Sequence, residues 1–380
     1  MVQQELPRDY SALVEANTRF AFKFYRATCA EGEENSNSTI APLLFSIGFS
    51  LLLNGASEKA QAEILKAMEF DGLSLPQVNE QNFALKEALA SGQGDQLSKT
   101  EALERLVFAN ALWMVLPERF SLKFIERSEN YFSFDLKSSP ASAVQQEIAQ
   151  WSAEKTEGLV TLNVDLSDFY LLFATYFKGF WKNPFPEKAT YSGPFNLLDS
   201  STKTVPMMTQ AGSFPYLETS EFQLLALPCS LATVYILLPC TDSSLTRLQS
   251  SLDGPSWRSW QAALRQQSGR VTIPKVTVSY ENEFTPVLRK LGLSQAFDSF
   301  QSLAPAVVNP EGAKLESVIE STVVKIDEKG AEAASVLVMT VRAGSAARKT
   351  FNFLADRPFI FLIEDNKTRS ILFVGRVLEP

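Results

Sequence analysis

Glu328-Lys329-Gly330-Ala331-Glu332-Ala333-Ala334-Ser335, continuing as Val336 to Arg342, is the stretch on which the reading of this chain turns. Gly330 permits a sharp change of backbone direction because it has no Cβ. Small residues follow it, then β-branched and apolar ones. With a period of two, one face carries Ala331, Ala333, Ser335, Leu337, Met339, Val341 and Ala343, all small or apolar. The other face carries Glu332, Ala334, Val336, Val338, Thr340, Arg342 and Gly344, and so holds both charges. A strand with one buried face is written this way. Yet Gly344-Ser345-Ala346-Ala347-Arg348-Lys349 follows directly and reads as an exposed loop. One sequence thus suits two environments, a buried strand and a surface loop.

The composition around this stretch narrows the function classes. The chain has 380 residues, 45% of them hydrophobic and 21% charged, which suits a large globular core. Its 28 Phe fall in periodic segments and predict bulky packing. The net charge of −8 and the lack of a dense Lys/Arg stripe argue against nucleic acid as a partner. Asp95 to Arg105 is mixed in sign, so no polyanion site is expected there. The chain has no histidine, which excludes Ser-His-Asp and Cys-His catalytic units and His-containing zinc sites. Cys29, Cys229 and Cys240 fit no metal spacing and are expected as free thiols. No catalytic residue, metal or cofactor is expected. No apolar run approaches the ~18–20 residues of a membrane span, so no membrane contact is expected. Met1 to Glu5 lacks the start of a signal peptide. A cytoplasmic location is expected unless a signal was removed, in which case the protein is secreted or periplasmic.

Hydrophobic periodicity predicts helices over 9–28, 42–54, 57–68, 80–91, 145–156 and 284–291, with Ser57 as an N-cap. Strands are predicted at 106–115 (buried on both faces), 169–177, 272–278 and 318–326. Several antiparallel strands are expected within 204–239, and a C-terminal pair at 359–363 and 371–374. Helices dominate the first third and strands the rest, with no linker between them. The pattern is α+β in one large domain, 1–380.

Ordered motifs add a resemblance. Phe108-Ala109-Asn110-Ala111-Leu112-Trp113 is followed by Ile148-Ala149-Gln150-Trp151, Tyr176-Phe177-Lys178-Gly179-Phe180-Trp181 and Val205-Pro206-Met207-Met208. Then come Ile273-Pro274-Lys275, Leu291-Gly292, Ala355-Asp356-Arg357-Pro358-Phe359 and Phe373-Val374-Gly375. Their order and spacing resemble those of the serpins over essentially the whole chain. The resemblance implies three β-sheets, about nine helices and an exposed reactive-centre loop at about 330–352. It implies a monomer that inhibits serine proteases as a suicide substrate. The protease cuts the loop and is held as an acyl-enzyme while the loop enters the central sheet as a new strand. A non-inhibitory serpin, a ligand carrier or folding factor whose loop is only a substrate, is the alternative.

Carried onto this sequence, the resemblance gives a hinge of Glu328, Gly330, Ala331, Ala333, Ala334, Ser335 and Val336. Sixteen residues beyond Glu328 the reactive bond falls at Gly344-Ser345. A displaced cut would place Arg342 before a trypsin-like protease, or Val341 or Ala343 before an elastase- or subtilisin-like one. Insertion would bury no charge, and Leu337, Met339 and Val341 could each contribute roughly 1.5–3 kcal/mol. Lys275 and Glu328, with Trp181, match a contact at the top of the central sheet. Beneath that sheet, the Ser, Ser, Asn and His of the usual serpin cluster correspond to Ala41, Leu44, Phe173 and Glu320. Apolar packing is therefore expected there, with Glu320 requiring a donor or a raised pKa.

Overall fold

The computed structural model describes residues 9–31, 36–93, 105–115, 119–178, 180–240, 244–308, 311, 313–328 and 350–380. Helix α1 (Ser11–Glu31) buries Leu13, Ala16, Phe20 and Phe24 along one stripe. A short strand β1 (Ser38–Ile40) leads into α2 (Pro42–Leu53), which starts on a proline and buries every residue except Ile47. Helix α3 (Glu58–Ala67) begins after Ser57, but the Ser57 hydroxyl makes no capping bond. The acidic Glu58 in the first turn and the basic Lys66 in the last instead complement the helix dipole. Helix α4 (Leu75–Gln93) starts five residues ahead of its expected position, at the turn after Gly72.

The central sheet has five strands: β2 (Arg105–Val115), β3 (Asp135–Ser139), β4 (Phe169–Lys178), β10 (Val276–Glu283) and β11 (Ser317–Ile326). Their order is β10-β11-β4-β2-β3. The middle strand, β4, and its neighbour β11 run parallel, with Ser317 opposite Tyr170 and Lys325 opposite Lys178. Strand β2 is buried from Ala111 to Val115, but Leu106 to Phe108 are only half-buried, so its upper part is not covered on both faces.

The other strands are β5 (Tyr191–Asn196), β6 (Thr202–Glu218), β7 (Phe222–Pro228), β8 (Ala232–Pro239), β9 (Arg265–Pro274), β12 (Phe351–Leu354), β13 (Phe359–Asp365) and β14 (Ile371–Val377). Strand β6 is 17 residues long: its first part pairs with β5 and β9, its end with β7. Hydrogen bonding therefore runs through nine strands, while β6 divides them into two sheets and makes three in all. Ten α-helices lie among the described residues, completed by α5 (Leu122–Arg127), α6 (Val144–Lys155), α7 (Leu245–Ser251), α8 (Gly254–Ala263), α9 (Thr285–Lys290) and α10 (Gln295–Asp298). The fold is α+β.

One expected strand, 272–278, is two. It breaks at Lys275, whose N–H donates to the Pro206 carbonyl at 2.9 Å and so extends the β9–β6 ladder. Val276 then opens the β10 pairing opposite Ile326 in the central sheet. The chain changes sheets without a turn. Helix α2 fills the space beneath the central sheet. Its Phe45 ring lies 4.7 Å from Phe173 of β4 and 4.5 Å from Phe24 of α1. On the opposite face, Trp151 of α6 packs on Trp113 of β2 with ring centroids 6.2 Å apart, in an apolar cluster that also holds Val160, Leu162, Tyr170, Leu172 and Ile319.

Gly375 shows how closely β1 sits on β14. A Cβ there would come 2.4 Å from the Ser38 carbonyl and 2.7 Å from the Phe361 ring. Because the nearest atom is backbone, Gly375→Ala is expected to destabilise the fold by about 1–3 kcal/mol, read as a lower denaturant midpoint at unchanged m-value.

Candidate functional site

Two groups of residues flank the seam where β4 meets β11. The first lies at its upper end, where β11 runs out at Ile326. Trp181 is buried and packs its ring on Phe185, with centroids 6.1 Å apart. Its Nε1 donates to the Asp327 carbonyl at 2.8 Å. The Glu328 carboxylate takes Lys275 Nζ at 2.7 Å on one oxygen and the Thr190 hydroxyl at 2.8 Å on the other. Because Lys275 is the residue at which the chain changes sheets, this ion pair ties the end of the central sheet to the neighbouring one. Burial pushes the Glu328 carboxyl upward, but the bonds from Lys275 and Thr190 outweigh it and hold the group below its ordinary 4.5.

The second group lies beneath the middle of the seam. Phe173 of β4 and Glu320 of β11 stand directly opposite each other. Phe173 is fully buried against Phe45, and Gly48 of α2 makes room for it: a Cβ at Gly48 would lie 2.9 Å from the ring tip. Ala41 and Leu44, at the start of α2, are buried too. The Ala41 N–H donates to Glu320 Oε1 at 2.8 Å. Glu320 is 0% exposed, and its Oε2 has no hydrogen-bond partner among the described residues. Burial pushes its carboxyl up to about 8; the Ala41 N–H and the Thr322 hydroxyl oppose this without overcoming it. One step higher, Thr175 of β4 and Thr322 of β11 share a hydrogen bond of 2.8 Å across the seam.

The structure thus brings together Lys275, Glu328 and Trp181 at the top, and Ala41, Leu44, Phe173 and Glu320 beneath. Gly330, Ala331, Ala333, Ala334, Ser335, Val336, Val341, Arg342, Ala343, Gly344 and Ser345 lie outside the described residues. Thr190, Asp327 and the Thr175–Thr322 pair were not anticipated. The two threonines had a signal, each a small hydroxyl residue on the inward face of a largely apolar strand. Thr190 had none, being a polar residue in a turn. No disulfide joins Cys29, Cys229 or Cys240, and Cys229 is buried. Among the described residues no group of acids or cysteines could hold a metal ion.

The parallel pairing of β4 with β11 fixes the direction in which a further strand could join both. A segment that reversed direction after β11 would run antiparallel to β11. Since β4 is parallel to β11, that segment would be antiparallel to β4 as well. A strand entering the seam would replace one parallel pairing by two antiparallel ones, the slightly more stable kind.

Comparison with known proteins agrees with this architecture. The family model described as Serpin (serine protease inhibitor) matches residues 15–380. Serpin-Z10 of Arabidopsis thaliana is 30% identical over 93% of this chain and 94% of its own. Leukocyte elastase inhibitor of Equus caballus is 29% identical over 97% of this chain and 99% of its own. The native-state structure of Tengpin, a thermophilic serpin, superimposes with a TM-score of 0.84 at 21% identity, covering 97% of this chain and 94% of that one. The chain belongs to the serpin family.

The Lys275–Glu328 bond can be measured. In a double-mutant cycle of Lys275→Met and Glu328→Gln, the coupling is expected at about 1 kcal/mol, because Lys275 is substantially exposed and screened. The folded-state carboxyl titrates below its unfolded value, so the bond stabilises in full above the ordinary carboxylate range. It is lost as pH falls through the depressed value. Denaturation midpoints of the four proteins at neutral and acid pH check both statements. A coupling that persists once the carboxylate is protonated would contradict the assignment.

Proposed function

We propose that the protein is an inhibitor of serine proteases that acts by inserting its cleaved reactive-centre loop between β4 and β11. The parallel β4–β11 pairing carries this reading, because the segment continuing β11 is the one whose direction suits the seam. The sequence supports it, since the face of 331–341 that would turn inward carries no charge. The name of leukocyte elastase inhibitor supports it further: that relative is 29% identical over nearly the full length.

The protease supplies the bond chemistry. Its serine oxygen attacks the carbonyl carbon of Gly344, and the Gly344–Ser345 C–N bond breaks. The Ser345 amine takes a proton and leaves, and Gly344 remains as an ester on the protease. Entry of 331–341 into the seam then carries the esterified protease along the sheet and pulls the ester away from the groups that would activate water. Gly330 and Ala331, Ala333, Ala334, Ser335 and Val336 are the hinge that enters first. Glu328, bonded to Lys275 and Thr190, marks the point where entry begins. A small residue at the cut suits an elastase- or subtilisin-like protease. A cut after Arg342 would suit a trypsin-like one.

Incubation with trypsin, elastase and subtilisin, followed by denaturing gels, tests the reading. At least one protease is expected to yield an SDS-stable complex, with mass spectrometry placing the ester at Gly344. Complete cleavage by all three with no complex would replace the reading by a non-inhibitory one. Insertion has its own readout: cleavage within 331–349 should raise Tm by on the order of 10 °C or more, from the burial of Leu337, Met339 and Val341 and the new ladder bonds. An unchanged Tm after cleavage would contradict insertion.

A further inference from the structure

Glu320 is a carboxyl with no opposite charge, set at the point where the central sheet would part. Its Oε1 accepts the Ala41 N–H at 2.8 Å, and its Oε2 is buried without a partner among the described residues. Phe173 stands opposite it across the seam and Asn282 opposite it on β10. We infer that Glu320 makes the parting of β4 from β11 proton-linked: the closed sheet holds the carboxyl neutral, and parting lets it meet water and ionise.

The surroundings leave the proton to Glu320 alone. Helix α2, from Pro42 to Leu53, has no titratable residue. The β4 residues on the same face are Phe169, Leu171, Phe173, Thr175 and Phe177, none of which titrates. Strand β1 offers Ser38, Thr39 and Ile40. On β10, Glu281 and Glu283 pair with Ser321 and Ile319 and so take the opposite face. Tyr280 shares the face of Glu320, and burial, Cys29 and Glu320 raise its hydroxyl, so it stays neutral throughout. Helix α9 directs Arg289 to Asp298 at 2.6 Å and Lys290 to Glu31 at the surface. Arg376 of β14 bonds the Ser36 carbonyl at 3.3 Å, with Cys29 and Tyr25 of α1 nearby. No charged side chain is among the causes that shift Glu320; they are burial, the Ala41 N–H and the Thr322 hydroxyl.

The direction of the linkage follows. In the closed sheet the carboxyl keeps its proton up to about 8, against an ordinary 4.5. A parted sheet that admits water restores the ordinary value. Between the two values the closed form binds one proton more than the parted form, so raising the pH favours parting. Acid holds the sheet shut, and mild alkali loosens it. The linkage stands on the burial of Glu320 alone; its consequence for loop entry, faster insertion at higher pH, rests on the inhibitory reading above.

Hydrogen exchange of the intact protein tests it. Peptides from 170–178 and 317–326 report parting of the seam, and the chemical exchange rate at each pH is divided out to give protection factors. In the wild type these factors should fall as pH rises from 5 to 8, by up to about tenfold per unit, the limit for one proton. In Glu320→Gln, which keeps an acceptor for Ala41 N–H, the slope should vanish. Glu320→Leu, a second variant without a proton to release, should be flat as well. A flat wild-type profile, or the wild-type slope in either variant, overturns the inference. The outcome is separate from that of inhibition: absence of an SDS-stable complex would leave the exchange slope intact, and loss of the slope would leave complex formation intact.

Discussion

The parallel pairing of β4 with β11 is the constraint on which the molecule depends. These strands satisfy each other's backbone in the closed sheet, and the proposed mechanism asks them to satisfy a third strand as well. Their sequences meet both demands through uniformity. Strand β4 is buried from Phe169 to Phe177, and β11 from Ser317 to Thr322. Residues that face an apolar layer on either side stay buried whether the neighbouring strand is β11 or a newcomer. The closed arrangement leaves no gap in the ladder, so it is a complete local minimum. On the proposed mechanism its vulnerability is relative: loop entry would offer an alternative pairing within the same chain, separated by a barrier.

The barrier is built from unlike parts along the seam. At the top, Lys275–Glu328 is a charge pair open to salt and solvent on the lysine side. In the middle, Thr175 and Thr322 share one neutral hydrogen bond. At the floor, Phe173, Phe45 and Leu44 form a dry layer into which one acid intrudes. Above the sheet, Val160 and Leu162 press on the opposite face beside Tyr170 and Ile319, and Tyr170 fixes the connection by bonding the Asp165 carbonyl at 2.8 Å. The upper contacts are the weakest per group, because one partner remains hydrated. Parting that starts at Glu328 and proceeds downward therefore meets the lesser resistance first.

How much of this could be read from sequence depends on how far apart the partners lie. Helices α1 and α2 and strands β4, β11, β13 and β14 carry strong periodicity or long apolar runs, and they lie where that pattern puts them. The split at Lys275 escaped because Ile273, Val276 and Val278 suit a strand in either sheet, and the chain passes Pro274-Lys275 without a turn. Strands β1, β3 and β5 are short edges with too few residues to show a period. Helix α8 had a signal that the turn-like Gly254-Pro255 obscured: Asp253 caps it by accepting the Ser256 N–H at 2.8 Å. The pairing of Lys275 with Glu328 came from resemblance, since no periodicity links the two. Glu320 stood out as an acid in an apolar strand; the resemblance set it in one cluster with Ala41, 279 positions away, and the fold shows the Ala41 N–H to be its donor.

Glu320 also bears on the energy of the closed form. A carboxyl that keeps its proton up to about 8 instead of 4.5 costs the closed state roughly 3 kcal/mol at neutral pH, relative to a state where it ionises freely. That cost sits at the floor of the seam rather than being spread through the core. An apolar residue of similar size would remove it, but would also leave the Ala41 N–H at the start of α2 buried without an acceptor. The acid thus satisfies the start of the helix and at the same time raises the closed sheet toward the parted one. The Phe173 ring in the slot left by Gly48 acts in the opposite sense, since parting must draw it out of close contact. The floor of the seam combines an acid whose ionisation favours opening with a ring that resists it. Their balance, unlike that of a fully apolar floor, depends on pH.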